Sequence, residues 1–203
     1  FTLSDGETKK ATGLPTGINY IVEETTEDGF VVTKSGESGE ITTTKSKASF
    51  TNTKKEGGLI VTKSVVSDIE ADKTKDYSFT VTLDDSTVNG TYGEMTFEDG
   101  VAIFTMQDGD TKSATGLAQG IGYTVEEETY ELFITTSEGE TGEIGDETVT
   151  AVFYNTRKTG DLEVSKTVVS DAAADTGHSF TFTIELSDKT ISGKYGDITF
   201  DGG

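Results

Sequence analysis

The chain repeats itself, and the repeat bounds what it can fold into. Lys63 and Lys166, Glu24 and Glu127, Asn52 and Asn155, Gly13 and Gly116, and Phe97 and Phe200 all stand 103 residues apart, with no insertion between the copies. That period is domain-sized, well above the roughly 20–50 residues of solenoid repeats, so each unit is expected to hold its own core. The register predicts the C-terminal half of one domain over 1–56, a complete domain over 57–158 and the N-terminal half of another over 159–203.

Aromatic and β-branched residues are scattered through a Thr- and Gly-rich chain with one proline, Pro15. Short alternating runs are separated by the turn signals DDS, NG, EDG, QDGD and SEGE, which points to an all-β fold. Asn89-Gly90 reads as a hairpin turn before it reads as a glycosylation site, because its counterpart is Ile191-Ser192-Gly193. No segment carries a long helical apolar stripe, and none approaches the roughly 18 apolar residues of a membrane span.

Net charge is −21, from 37 acidic and 16 basic residues, which argues against nucleic acid or an anionic membrane surface as partner. The acidic clusters EETTED (23–28) and EDGV (98–101) lack the spacing of a calcium-binding loop and read as solvated surface. The sole histidine, His178, is replaced by Lys75 in the other copy, so neither a zinc site nor a Ser-His-Asp triad has material to use. No cofactor or metal is expected. Cysteine is absent, which implies either a reducing compartment or, in a secreted array of such domains, some other staple.

Strand geometry singles out three positions. In LEVSKTV, Leu162, Val164, Lys166 and Val168 share one face, and in LIVTKSV, Leu59, Val61, Lys63 and Val65 do. Ala48, Phe50 and Asn52 are in phase, as are Val149, Ala151, Phe153 and Asn155; so are Tyr20, Val22 and Glu24, matched by Tyr123, Val125 and Glu127. An amine, an amide and a carboxylate are thus aimed at the core of each domain.

An isolated buried charge is costly and tends to neutralise. Two bland readings are open: a buried Lys-Glu pair with a hydrogen-bonded asparagine, or strand-end residues whose heads reach water. The reading that uses all three groups is chemical. Burial favours a neutral acid and a neutral amine, and a neutral amine is a nucleophile. The lysine attacks the asparagine amide while the acid polarises the carbonyl and moves protons, ammonia leaves, and a Lys-Asn isopeptide bond remains. The event occurs once per domain, so the chain is not an enzyme with turnover.

The order of a lysine in the first strand (LIVTK, LEVSK), a Y-x-V-x-E strand (YIVEE, YTVEE) and an asparagine in the last strand (FTNT, FYNT) resembles the collagen-adhesin B-type (Cna-B, pilin-type) isopeptide domains of Gram-positive surface proteins. The resemblance covers essentially the whole chain. It implies an immunoglobulin-like β-sandwich in which Lys63 and Asn155 form the bond and Glu127 is the catalytic acid, with Lys166, Asn52 and Glu24 in the same roles. The Pro-x-Gly-aromatic turn that often follows the family's glutamate is missing after both Glu24 and Glu127.

The function expected on these grounds is a stalk or shaft repeat of an extracellular adhesin, pilus or filament at the bacterial cell surface. A covalent link from Lys63 to Asn155 would bypass the 91 residues between them. By analogy with a disulfide closing a long loop it would stabilise by roughly 4–5 kcal/mol. The alternative is an adhesive module for a host glycan or protein, with Tyr130, Phe133 and Phe30 as candidate contacts; packing under the sandwich edge is the bland account of these rings. The chain reads as a piece of something longer. Its two ends read as complementary halves, so Lys166 is expected beside Glu24 and Asn52 of a neighbouring copy, head to tail in a filament, or else the halves belong to a continuous tandem array.

Overall fold

The computed structural model describes residues 1–203, almost entirely as strands and turns. Residues 1–54 carry β1 (Asn19–Ile21), β2 (Phe30–Ser35), β3 (Ser38–Glu40) and β4 (Ser49–Lys54). The next stretch runs β5 (Glu56–Val66), the helical turn α1 (Glu70–Lys73), β6 (Tyr77–Leu83), β7 (Gly90–Tyr92), β8 (Met95–Phe97) and β9 (Val101–Met106). It continues with β10 (Thr111–Ala118), β11 (Gly122–Glu127), β12 (Phe133–Glu138), β13 (Thr141–Glu143) and β14 (Val149–Arg157). The remainder holds the helical turn α2 (Ala173–Thr176) and the hairpin of β15 (Gly193–Tyr195) and β16 (Ile198–Phe200).

Residues 56–157 form an immunoglobulin-like sandwich. One sheet has the order β10-β5-β14-β12 and the other β13-β11-β6-β9. The strands are antiparallel neighbours except for β5 and β14, which run parallel from Val149 opposite Leu59 to Thr156 opposite Val66. The first and last strands of the sandwich thus lie side by side in mid-sheet, and the chain enters and leaves at opposite ends. Alternation decides the faces: along β5 the residues Leu59, Val61, Lys63 and Val65 are buried, and Ile60, which breaks the sequence pattern, is only partly covered. Phe79 of β6 is fully buried, stacked on Phe104 and edge-on to Phe153 of the opposite sheet.

The registers of residues 1–54 repeat those of the sandwich at a shift of 103: Tyr20 faces Gly39 as Tyr123 faces Gly142, and Asn52 faces Val32 as Asn155 faces Thr135. These ribbons have two strands each and carry no buried residue. β1 also stops at Ile21, before Glu24, whereas β11 reaches Glu127 because β6 pairs along it as far as Glu127 opposite Phe79.

Two sequence expectations need correction. Residues 162–168 (LEVSKTV) form no strand; β5, their counterpart, is held between β10 and β14, and an extended segment without such neighbours has no ladder to join. Asn89-Gly90 is not the hairpin turn, which falls at Gly93-Glu94 between Tyr92 and Met95. Gly93 has φ +61°, and a Cβ there would stand 2.7 Å from the Ser113 carbonyl oxygen, so only glycine fits. Asn89 instead braces the adjacent loop, donating to Thr87 O and accepting from the Asp99 amide.

Because Phe79 fills the space between the sheets, Phe79→Ala is expected to lower stability by about 3–5 kcal/mol, read as a reduced urea midpoint of the whole chain.

Candidate functional site

The buried polar cluster is built by three strands from both sheets. β5 supplies Lys63, β14 supplies Asn155 and β11 supplies Glu127 across the sandwich. Lys63 is opposite Phe153 in the β5–β14 ladder, two residues from Asn155 on the same face. The side chains of Lys63 and Glu127 are 0% and 1% exposed, and Asn155 is 0% exposed.

The Lys63 amine donates to Glu127 Oε2 at 3.0 Å, and Asn155 Nδ2 donates to Glu127 Oε1 at 2.5 Å. Asn155 Oδ1 accepts from the Thr135 hydroxyl at 2.7 Å. No buried side-chain nitrogen or oxygen in the chain lacks a hydrogen-bond partner. Beneath the amine lies Tyr77, with Lys63 Nζ 4.6 Å from its ring centroid. Burial, then the charges of Asp72 and Glu127, push the Tyr77 hydroxyl up to about 12, so it stays neutral and donates to the Asp72 carbonyl.

Burial lowers the Lys63 pKa below its ordinary value, against the opposing pull of Glu127 and Asp108. The geometry therefore presents an amine biased toward its neutral, nucleophilic form, a carboxylate touching both amine and amide, and a carboxamide fixed at both ends.

Of the predicted residues, Lys63, Glu127 and Asn155 come together. Asn52 Nδ2 donates to Glu24 Oε1 at 2.9 Å in an exposed setting. Lys166 makes its contacts elsewhere, donating to Thr167 O and lying 4.3 Å from the Phe180 ring centroid. The candidate glycan contacts of the sandwich are packing residues: Phe133 is buried, and Tyr130 lies edge-on to Tyr77 and accepts from the Ser78 amide. Their counterpart Phe30 is partly open, with Lys54 over its ring.

The asparagine carbonyl, expected to be polarised by the glutamate, instead accepts from Thr135, and Glu127 meets the amide at its nitrogen. The signal that could have found Thr135 is its place opposite Asn155 in the β12–β14 ladder, but the other copy has Val32 there.

A sandwich whose parallel first and last strands and facing sheet converge on a buried lysine, glutamate and asparagine resembles a pilin-type, Cna-B-like domain. The chain belongs to the family described as Domain of unknown function (DUF7601), matching it over residues 1–54 and 57–157. A 76-residue stretch is 38% identical to the pilus tip adhesin Cpa of Streptococcus pyogenes, covering 34% of this chain and 11% of that protein. Among solved structures, the major pilin T3.2 of S. pyogenes is 22% identical, with a TM-score of 0.46 over 60% of this chain and 52% of its own. Another major pilin of S. pyogenes is 25% identical, with a TM-score of 0.40 over 53% and 50%. The chain thus spans about a tenth of the adhesin and about half of each pilin.

The lowered Lys63 pKa has a sign that can be measured. Between that lowered value and the ordinary 10.5, the unfolded chain binds more protons at this residue than the folded chain does. Stability therefore rises with pH there: the cost of burying the amine is fully present below the folded value and is relieved as pH climbs toward the unfolded one. In an Asn155→Ala background, which cannot form a Lys-Asn link, the stability advantage gained by adding Lys63→Met should shrink as pH is raised from about 7 to about 10. Urea midpoints measured across that range check it.

Proposed function

We propose that the chain is a structural repeat of an extracellular pilus or adhesin stalk on a Gram-positive surface, stapled by an isopeptide bond between Lys63 and Asn155 that Glu127 promotes. The observation that carries this reading is the contact of the Glu127 carboxylate with both the Lys63 amine and the Asn155 amide, the lysine and glutamate side chains being buried. A lysine-glutamate pair kept only for stability would do no better than apolar packing of the same volume. The similarity to a pilus tip adhesin supports the surface location.

In the proposed reaction Lys63 passes a proton to Glu127 and its neutral amine attacks Asn155 Cγ. Glu127 then protonates the departing amide nitrogen and recovers a proton from the new Nζ–C linkage. Ammonia leaves and the amide remains, so proton count and charge balance within the cluster. The reaction is a single self-modification, with no turnover.

The same chemistry supports a role for the outer segments. Glu24 and Asn52 are hydrogen-bonded to each other in a two-stranded ribbon, and Lys166 lies in a segment with no acid or asparagine strand against it. In this reading a first strand bearing Lys166 completes the Glu24–Asn52 unit of a neighbour, head to tail, and the partners are further copies or repeats of the same protein.

Intact mass of the folded chain should lie about 17 Da below that of the unmodified sequence, the loss of one ammonia, and a tryptic digest should contain a peptide pair joining Lys63 to Asn155. Full unmodified mass in a folded sample would sink the bond. Glu127→Gln should slow bond formation by roughly 10²–10⁴-fold, with little effect from Glu126→Gln on the opposite face. For the outer segments, boiled samples on a denaturing gel should show a ladder that Lys166→Ala abolishes; a clean monomer band removes the cross-copy link and leaves the Lys63 bond standing.

A further inference from the structure

We infer that Thr135 is a catalytic residue of this reaction, its hydroxyl serving as the donor that holds the oxyanion formed on Asn155 Oδ1 when the amine attacks. The inference rests on the isopeptide reading above and adds a fourth participant to it.

Asn155 Oδ1 carries no proton, so in the 2.7 Å contact with Thr135 Oγ1 the hydroxyl is the donor. The Glu127 carboxyl accepts from the Asn155 nitrogen on one oxygen and from the lysine amine on the other. The carboxamide orientation is thereby fixed: the leaving nitrogen faces the proton carrier and the oxygen faces Thr135. Attack at Cγ turns that oxygen into an alkoxide, and a donor already aimed at it costs no reorganisation at the moment of reaction. Glu127 cannot fill this role, since both its oxygens are committed to the nitrogens that must exchange protons.

Position supports the assignment. Thr135 lies in β12, the edge strand beside β14, directly opposite Asn155. It also lines a cleft between the two sheets with Ser78, Thr80, Ser137 and Glu127, which gives ammonia a way out. The hydroxyl is therefore reached by solvent from one side. A buried oxyanion donor is worth roughly 10²–10³ in rate, and one shared with solvent is expected to contribute less, about tenfold. The chain also holds its own comparison, because Val32 occupies this place opposite Asn52. A unit built on Glu24 and Asn52 has no such donor.

The test follows bond formation in time. Full-length chain is isolated unfolded in denaturant, refolded by dilution across a series of pH values, and sampled by intact mass. Thr135→Val, the change the chain itself carries at Val32, should lower the plateau rate of ammonia loss about tenfold and leave the midpoint of the pH profile where it is, since the Lys63–Glu127 proton exchange is untouched. Thr135→Ser keeps the hydroxyl and should react at close to the wild-type rate. Thr135→Ala is the second hydroxyl-free variant, with the same expected slowing, should the valine variant not refold. The inference is overturned if the hydroxyl-free variants react as fast as wild type, if the serine variant is as slow as they are, or if the pH midpoint moves. A wild-type chain that refolds without losing mass overturns the Lys63–Asn155 bond itself, which separates that failure from the failure of Thr135.

Discussion

An amine with no accessible surface is the constraint around which the sandwich is arranged. Lys63 cannot stay charged in an apolar layer without a partner, and no residue of its own sheet supplies one. The carboxylate comes from the facing sheet, at the end of β11, and β11 is held out to Glu127 only because β6 pairs along it to that residue. The asparagine comes from β14, which can stand beside β5 only if the last strand of the sandwich returns parallel to the first.

The polar cluster also stitches the two layers together. Two of its members belong to one sheet and the third to the other, so its hydrogen bonds cross the middle of a core otherwise filled by Phe79, Phe153, Tyr77 and Val125. Such a cluster stabilises only when its buried polar atoms find partners, and here no buried side-chain nitrogen or oxygen is left without one. Thr135 completes the matching from the edge strand, and Tyr77 closes the floor under the amine.

Much of this was legible in the chain because strand geometry has a period of two. That period alone places Lys63, Asn155 and Glu127 on inward faces, and the repeat shows that the pattern occurs twice. What the period cannot give is the identity of a neighbour across a ladder. Thr135 acquires its role from facing Asn155 in an adjacent strand, and the valine in the other copy hides the signal. The period also says nothing of whether an extended segment finds partners, which is why LEVSKTV reads as a strand and yet forms none, while LIVTKSV does. Asn89-Gly90 misled for a related reason: its turn chemistry is genuine, but the asparagine spends its side chain on Thr87 and Asp99, and the reversal comes at Gly93, whose positive φ and contact with Ser113 leave no alternative.

The position of β14 has a consequence for the order of events when such a domain is made. It is the last strand of the sandwich in the chain, yet it lies inside its sheet, between β5 and β12, and its pairing with β5 spans most of the domain's sequence. Contacts of such long separation form late, because the loop they close must be drawn together first. On a ribosome, β5 would wait with one flank open until nearly the whole domain had emerged. Lysine and asparagine could not meet in a partly built sandwich, nor in one whose sheets had mispaired. The proposed bond would then act as a seal applied only to finished work, committing each domain after its fold has been proofread and leaving unfinished chains free to unfold and try again.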